Sequence, residues 1–78
     1  MDDFAKVLGK HIKIFRVEKD FTQQEVAVRA NITPSYMSRI EGGTISTSVE
    51  KLYLIAHAME CKPAELLPEF QFLTDEND

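Results

Sequence analysis

The 78-residue chain is long enough for one small domain, in which folding buries only about 60% of the surface of the unfolded chain. Apolar residues make up 44% and charged residues 28%, a balance that excludes general disorder; the apolar runs are far shorter than the ~20 residues of a membrane helix. The net charge of −4 is unevenly spread. Residues 1–51 hold eight Lys and Arg against seven acids, and residues 52–78 hold one against six.

The first predicted element is an amphipathic helix that starts near Phe4 and ends near Lys19. Its apolar stripe repeats at helical spacing through Phe4, Leu8, Ile12 and Phe15. A basic side lies off the stripe at Lys6, Lys10 and Lys13; these side chains are either solvated or in contact with phosphate groups. Arg16 falls at the edge of the stripe, where a half-buried guanidinium needs a carboxylate partner.

A second helix is predicted from Thr22 to about Ala30, because Thr22 and Glu25 have the spacing of a capping box. Its apolar side consists of Val26, Ala27 and Ala30. Asn31 ends it, since Asn tolerates the left-handed conformation that follows many helices. The sequence therefore predicts a short helix and a tight turn.

A third helix is predicted from Thr33 and Pro34, a good N-cap followed by proline at the first helical position, to about Glu41. Met37 and Ile40 face inward. The residues predicted on the exposed side are Ser35, Tyr36, Ser38 and Arg39, and two glycines close the helix. Two helices joined in this way, the second with a polar exposed face, form a helix-turn-helix, whose second helix enters the major groove of DNA.

A fourth helix starts from a capping box of Thr47 with Glu50, or from Ser48 as the cap. Its inner residues are Val49, Leu52, Ile55, Ala56 and Met59. A short fifth helix carries Ala64, Leu66 and Leu67, and Pro68 ends it. The predicted fold is an all-α bundle of five helices over residues 1–69, followed by an apolar patch and an acidic tail over residues 70–78.

Large apolar residues continue after the last predicted helix, at Phe70, Phe72 and Leu73. Either they cover the core, or with Leu67 they form an interface with a second copy. We favour the dimer, because a domain of this size gains stability from association.

The sequence gives little support to an enzyme. His11 and His57 lie on different predicted helices without ligands in metal spacing, and no phosphate loop or nucleophile motif is present. We expect no metal and no cofactor. The single Cys61 and the absence of an export signal predict a cytoplasmic protein without a disulfide, in which Cys61 is a packing residue rather than a redox sensor.

The run TQQEVAVRANITPSYMSRIEGG, followed by SVEKLYLIAHAMECKPAELL, resembles the XRE-type helix-turn-helix family of phage repressors and Cro proteins. Within that family it looks most like controller proteins of restriction–modification systems or small phage-type repressors. The resemblance implies five helices, a homodimer and binding to an inverted repeat in double-stranded DNA. It also implies a structural ion pair between Arg16 and Glu41.

By the same resemblance, Gln23 would contact the DNA backbone and Arg39 would bind guanine with both guanidinium arms. The full set of expected DNA-binding residues is Gln23, Thr33, Pro34, Ser35, Tyr36, Ser38, Arg39 and Thr44. The chain departs from the family at Asp20 and Asn31, where glycine is usual, and at residues 42–44, where basic residues often contact phosphate. We therefore expect weak non-specific affinity.

Two functions are compatible with the sequence. The favoured one is an autoregulatory, sequence-specific regulator whose possible partners include RNA polymerase, with activation and repression equally open. The alternative is a protein-interaction module of the same fold, antitoxin-like or coactivator-like. The polar face at residues 35–39 favours DNA, because a protein partner would have favoured an apolar face there.

Overall fold

The computed structural model describes residues 2–69 of the chain. Four helices follow one another: α1 over Asp2–Glu18, α2 over Gln23–Ala30, α3 over Pro34–Gly42 and α4 over Val49–Ala58. A 3₁₀ turn at Pro63–Glu65 comes after them. The described chain is therefore all-helical, as predicted, but the predicted fifth helix is only a 3₁₀ turn.

The fifth helix does not form because Pro68 restricts the backbone of the residue before it, so the helical segment ends before Leu67. Leu66 still has helical dihedrals and its N–H donates to the carbonyl of Pro63 at 3.0 Å. The next residue, Leu67, precedes a proline, whose ring disfavours the helical conformation at that position. Only a single 3₁₀ turn fits between Pro63 and Pro68.

The helix ends follow local capping chemistry. The Thr22 hydroxyl accepts from the Glu25 N–H at 3.0 Å while the Glu25 carboxylate accepts from the Thr22 N–H at 2.8 Å, which confirms the predicted capping box. That same backbone hydrogen bond lowers the pKa of the Glu25 carboxyl. Asn31 ends α2 in the left-handed conformation, with φ of 59°. Thr33 caps α3 by accepting from the Tyr36 N–H at 3.0 Å.

At α4, the two alternatives for the cap are resolved in favour of Ser48, whose hydroxyl accepts from the Lys51 N–H at 3.1 Å. Thr47 instead donates to the carbonyl of Ser48. Val49 was predicted to face the core, and this is wrong, because its side chain is 71% exposed. It is the first residue of α4 and does not belong to the core cluster.

One core joins all four helices and the 3₁₀ turn. α2 packs on α3 and α4, while α1 packs on α3 and the 3₁₀ turn packs on α4. The largest fully buried side chains are those of Ile12, Val26, Met37, Ile40, Ile55, Met59 and Leu66. α3 is thus fixed from two sides, and its remaining face is free for another role. None of the helices within residues 2–69 combines the length and the apolar character needed to cross a membrane.

Candidate nucleic-acid interface

The outer face of α3 presents hydrogen-bonding side chains. Ser35, Ser38 and Arg39 are all exposed, and their spacing of three and four residues places them on one side of the helix. Thr33 and Pro34 are exposed at its N-terminal end. The predicted polar face therefore exists, and it surrounds the end of the helix that reaches base edges in helix-turn-helix proteins.

Tyr36 does not belong to that open face. It was predicted on the exposed side, but its ring is half-buried and packs against the core. The reason is its position one residue before the buried Met37, on the flank of the helix. Its hydroxyl makes no hydrogen bond with the described residues, so the polar tip of the ring is available at the edge of the α3 surface.

The guanidinium of Arg39 is unengaged. Within the described part of the chain it makes neither a salt bridge nor a side-chain hydrogen bond. Its backbone carbonyl accepts both donors of Thr44, the N–H at 3.1 Å and the hydroxyl at 3.3 Å. Thr44 therefore closes the end of α3 with both its backbone and its side-chain donor.

Beneath this face, a carboxylate ties three helices together. The Glu41 side chain is 3% exposed and accepts from Arg16 on α1 twice, from Nε at 2.6 Å and from Nη2 at 3.1 Å. It also accepts from the Gln23 amide on α2 at 2.8 Å. Arg16 donates in addition to the carbonyl of Phe21 at 2.8 Å. This paired geometry is the strong form of an arginine–carboxylate bond, and it fixes where α3 lies.

Gln23 makes a contact that was not expected from the sequence. The resemblance gave it a contact with the DNA backbone, whereas here it is half-buried and its amide nitrogen donates to Glu41. The side-chain carbonyl of Gln23 and its second amide hydrogen make no hydrogen bond with the described residues. The sequence contained no signal for this contact, because it joins two residues 18 positions apart on different helices.

The remaining candidate residues lie away from α3. His11 shares a hydrogen bond at 3.0 Å with the carbonyl of Leu66, which ties α1 to the C-terminal segment. Burial raises the pKa of the Cys61 thiol, and Glu65 adds to the rise.

Residues 2–69 contain no cluster of three or more metal-binding side chains. Leu67 is 42% exposed, and Phe70, Phe72 and Leu73 lie outside the described residues.

Comparison with known families decides what kind of domain this is. A family model described as helix-turn-helix matches residues 12–66, which is well over half of the chain. The chain belongs to the helix-turn-helix family. The match runs from the middle of α1 to the 3₁₀ turn, so it includes both the α2–α3 unit and the helices that support it. The resemblance to the XRE-type branch of this family is confirmed.

Three curated relatives are similar to this helix-turn-helix chain. An uncharacterized HTH-type transcriptional regulator of Sinorhizobium fredii is 34% identical over 83% of this chain and 84% of its own length. The immunity repressor protein of Bacillus phage phi105 is 29% identical over 88% of this chain, and the antitoxin PezA of Streptococcus pneumoniae 32% over 92%. The chain spans about half the length of these last two proteins, 48% and 46%.

Solved structures of helix-turn-helix proteins have the same fold. The clp gene regulator ClgR from Corynebacterium glutamicum superposes with a TM-score of 0.79 at 30% identity, over 81% of this chain and 82% of that one. The wild-type restriction–modification controller protein C.Esp1396I superposes with a TM-score of 0.75 at 27% identity, over 95% and 92% of the two chains. The controller match therefore extends over nearly the whole of both proteins.

Proposed function

We propose that this helix-turn-helix protein is a sequence-specific transcriptional regulator that binds an inverted repeat in DNA as a homodimer. The observation that carries the proposal is the outer face of α3, where Arg39, Ser35 and Ser38 are exposed and Arg39 has no described partner. A buried ion pair holds that face in one orientation. A rigid polar face is what the reading of base edges needs.

Arg39 is the strongest candidate for base readout. A guanidinium can donate two parallel hydrogen bonds to O6 and N7 of guanine, a contact that discriminates against other bases by about 1–3 kcal/mol. Ser35 and Ser38 are short hydroxyl side chains that donate or accept, so they suit several bases or a phosphate oxygen. The half-buried Tyr36 would place its hydroxyl at the margin of the groove.

The homodimer is supported by apolar residues at the C-terminal end. Leu67 is 42% exposed at the edge of the described chain, and the sequence continues with Phe70, Phe72 and Leu73. A second copy paired through these residues would repeat the α3 face by two-fold symmetry. Two symmetric recognition helices read two half-sites of an inverted repeat.

Regulation of DNA binding by the concentration of the protein, rather than by a small ligand, agrees with the small internal cavity of the described residues. The enclosed cavity between α1 and the loop after α3 measures about 50 Å³, far less than the roughly 300–1,000 Å³ of ligand sites, and the larger depressions of about 430 and 420 Å³ on either side of Arg29 are open to solvent. A weak dimer would therefore respond to its own concentration, in keeping with an autoregulatory controller that acts on DNA in the cytoplasm. RNA polymerase is a partner only if the operator lies beside a promoter.

One comparison favours a second function. The antitoxin PezA is 32% identical over 92% of this chain but only 46% of its own length, so an antitoxin-like module that binds another protein is the second candidate. The exposed side of α4 carries Val49 and Tyr53, two apolar side chains of the kind a protein partner would cover. The polar α3 face favours the regulator, because nothing in a purely protein-binding role requires it.

Selection of bound duplexes from a random DNA pool at moderate salt, followed by sequencing, tests the proposal. The expected result is an inverted repeat with half-sites about one helical turn, 10 to 10.5 base pairs, apart. Enrichment of a single half-site would contradict the dimer. No enrichment by a folded protein would contradict the regulator and leave the protein-interaction function.

A further inference from the structure

α1 touches the end of α3 without side chains between them. A Cβ atom placed on Gly9 would lie 2.2 Å from the carbonyl oxygen of Ile40, and one placed on Gly43 would lie 2.6 Å from the Cα of Lys6. Gly9 and Lys6 are three residues apart, on one side of α1. Lys6 is therefore fixed directly beside the cap of α3, where Gly43 has φ of 73°.

The Lys6 side chain runs past that cap into solvent. Its Cγ would lie 2.7 Å from a Cβ on Gly43, so the first part of its stem lies along the glycine. The residue as a whole is exposed, and its ammonium makes no ion pair or hydrogen bond with the side chains described over residues 4–69. A packed stem with its charged head in water is a common arrangement of surface lysines, and it leaves the ammonium of Lys6 accessible to an anion.

Arg39 is the basic residue in the last turn of α3, and the residues that follow it up to Thr44 add no further cation. The residues that follow the buried Glu41 are Gly42, Gly43 and Thr44, which bring no charge. Glu41 itself is neutralised by Arg16. The free carbonyls at the C-terminus of a helix carry partial negative charge, which repels a phosphate unless a cation lies nearby.

We propose that Lys6 binds the DNA phosphate that lies against the end of α3, and so supplies from α1 the positive charge that residues 42–44 lack. This inference rests on the proposed function. When a recognition helix lies in the major groove, its C-terminal end approaches the phosphate backbone. Lys6 thus sets affinity for any duplex, whereas Arg39 sets the choice of sequence.

The test is the salt dependence of binding to a fluorescein-labelled duplex of random sequence, about 24 base pairs long, between about 50 and 300 mM NaCl. Each phosphate contact contributes a slope of about −0.9 to log K against log salt. Lys6→Gln is expected to make the slope shallower by about 0.9 per bound subunit and to weaken binding about 5- to 10-fold near 0.1 M salt. Lys6→Arg should restore both values.

Lys62→Gln is the matched control. Lys62 is also exposed, and it directly precedes the 3₁₀ turn, which packs on α4. Its loss should leave the slope unchanged, and an equal effect of the two variants would refute a specific contact of Lys6. A parent slope retained by folded Lys6→Gln would also refute the inference. If the parent binds neither the random duplex nor a selected one, the proposed function itself fails.

Discussion

Replacing Glu41 with glutamine tests how α3 is held in place. The substitution keeps the shape of the side chain but removes its charge, which leaves the Arg16 guanidinium, 12% exposed, without a carboxylate. Only one end of the amide accepts, so it cannot keep all three bonds: an amide oxygen at the Oε1 position keeps those from Arg16 Nη2 and Gln23 but loses the bond from Arg16 Nε to Oε2. Breaking one partner of such a buried pair costs about 3–5 kcal/mol.

That loss is large for this protein. At about 0.05–0.15 kcal/mol per residue, a chain of 78 residues has a free energy of unfolding of roughly 4–12 kcal/mol. We therefore expect Glu41→Gln to lower the unfolding temperature by at least about 12 °C, since each kcal/mol is worth about 4–8 °C in a domain of this size. Urea unfolding followed by circular dichroism at 222 nm measures the difference directly.

Glu60→Gln serves as the control. Glu60 lies 3.5 Å from Arg29 in an ion pair whose side chains are 72% and 50% exposed, and such pairs contribute about 0–1 kcal/mol. The same chemical change should therefore have little effect there. If Glu41→Gln stayed within about 1 kcal/mol of the parent, the account of a buried carboxylate that fixes α3 would be wrong.

Three further predictions concern packing, association and thiol chemistry. Gly9→Ala should destabilise the fold by about 1–3 kcal/mol in urea unfolding, because its Cβ would overlap the Ile40 carbonyl, whereas Gly42→Ala, with nothing within 4 Å, should be neutral or stabilising; equal effects would contradict the close approach of α1 and α3. Leu67→Asp should weaken the proposed dimer at least 10-fold in sedimentation without changing the helix content, and an unchanged association constant would exclude this residue from the interface. Cys61 should react with iodoacetamide more slowly than free cysteine at pH 8, because its raised thiol pKa leaves less thiolate. A rate equal to that of free cysteine would contradict the burial of the thiol. Because the pKa of Cys61 is raised in the folded state, its contribution to stability is present at neutral pH and is lost as the pH rises through the folded-state pKa.

The sequence predicted the features that depend on neighbouring residues. The capping box of Thr22 and Glu25, the left-handed Asn31 and the Thr33 cap are all local hydrogen-bond chemistry, and all three are present. The inward positions of Met37 and Ile40 followed from helical spacing and are also confirmed. Local pattern was therefore enough for the α2–α3 unit.

Features that depend on tertiary contacts were missed. The burial of Tyr36 and the bond from Gln23 to Glu41 are set by how the helices meet, which spacing along one helix does not reveal. The close approach of Lys6 to Gly43 joins positions 37 residues apart. The fifth helix was a local error, since the restriction that Pro68 places on Leu67 was readable from the sequence.

The most direct test of base reading by α3 compares the sequences selected from a random DNA pool by the parent and by Arg39→Ala, both shown to be folded. The account predicts that the variant loses its preference for guanine at one position of each half-site, with a discrimination loss of about 1–3 kcal/mol, while the other positions keep theirs. An identical sequence preference in the two proteins would show that Arg39 does not read DNA, and would contradict the assignment of the α3 face.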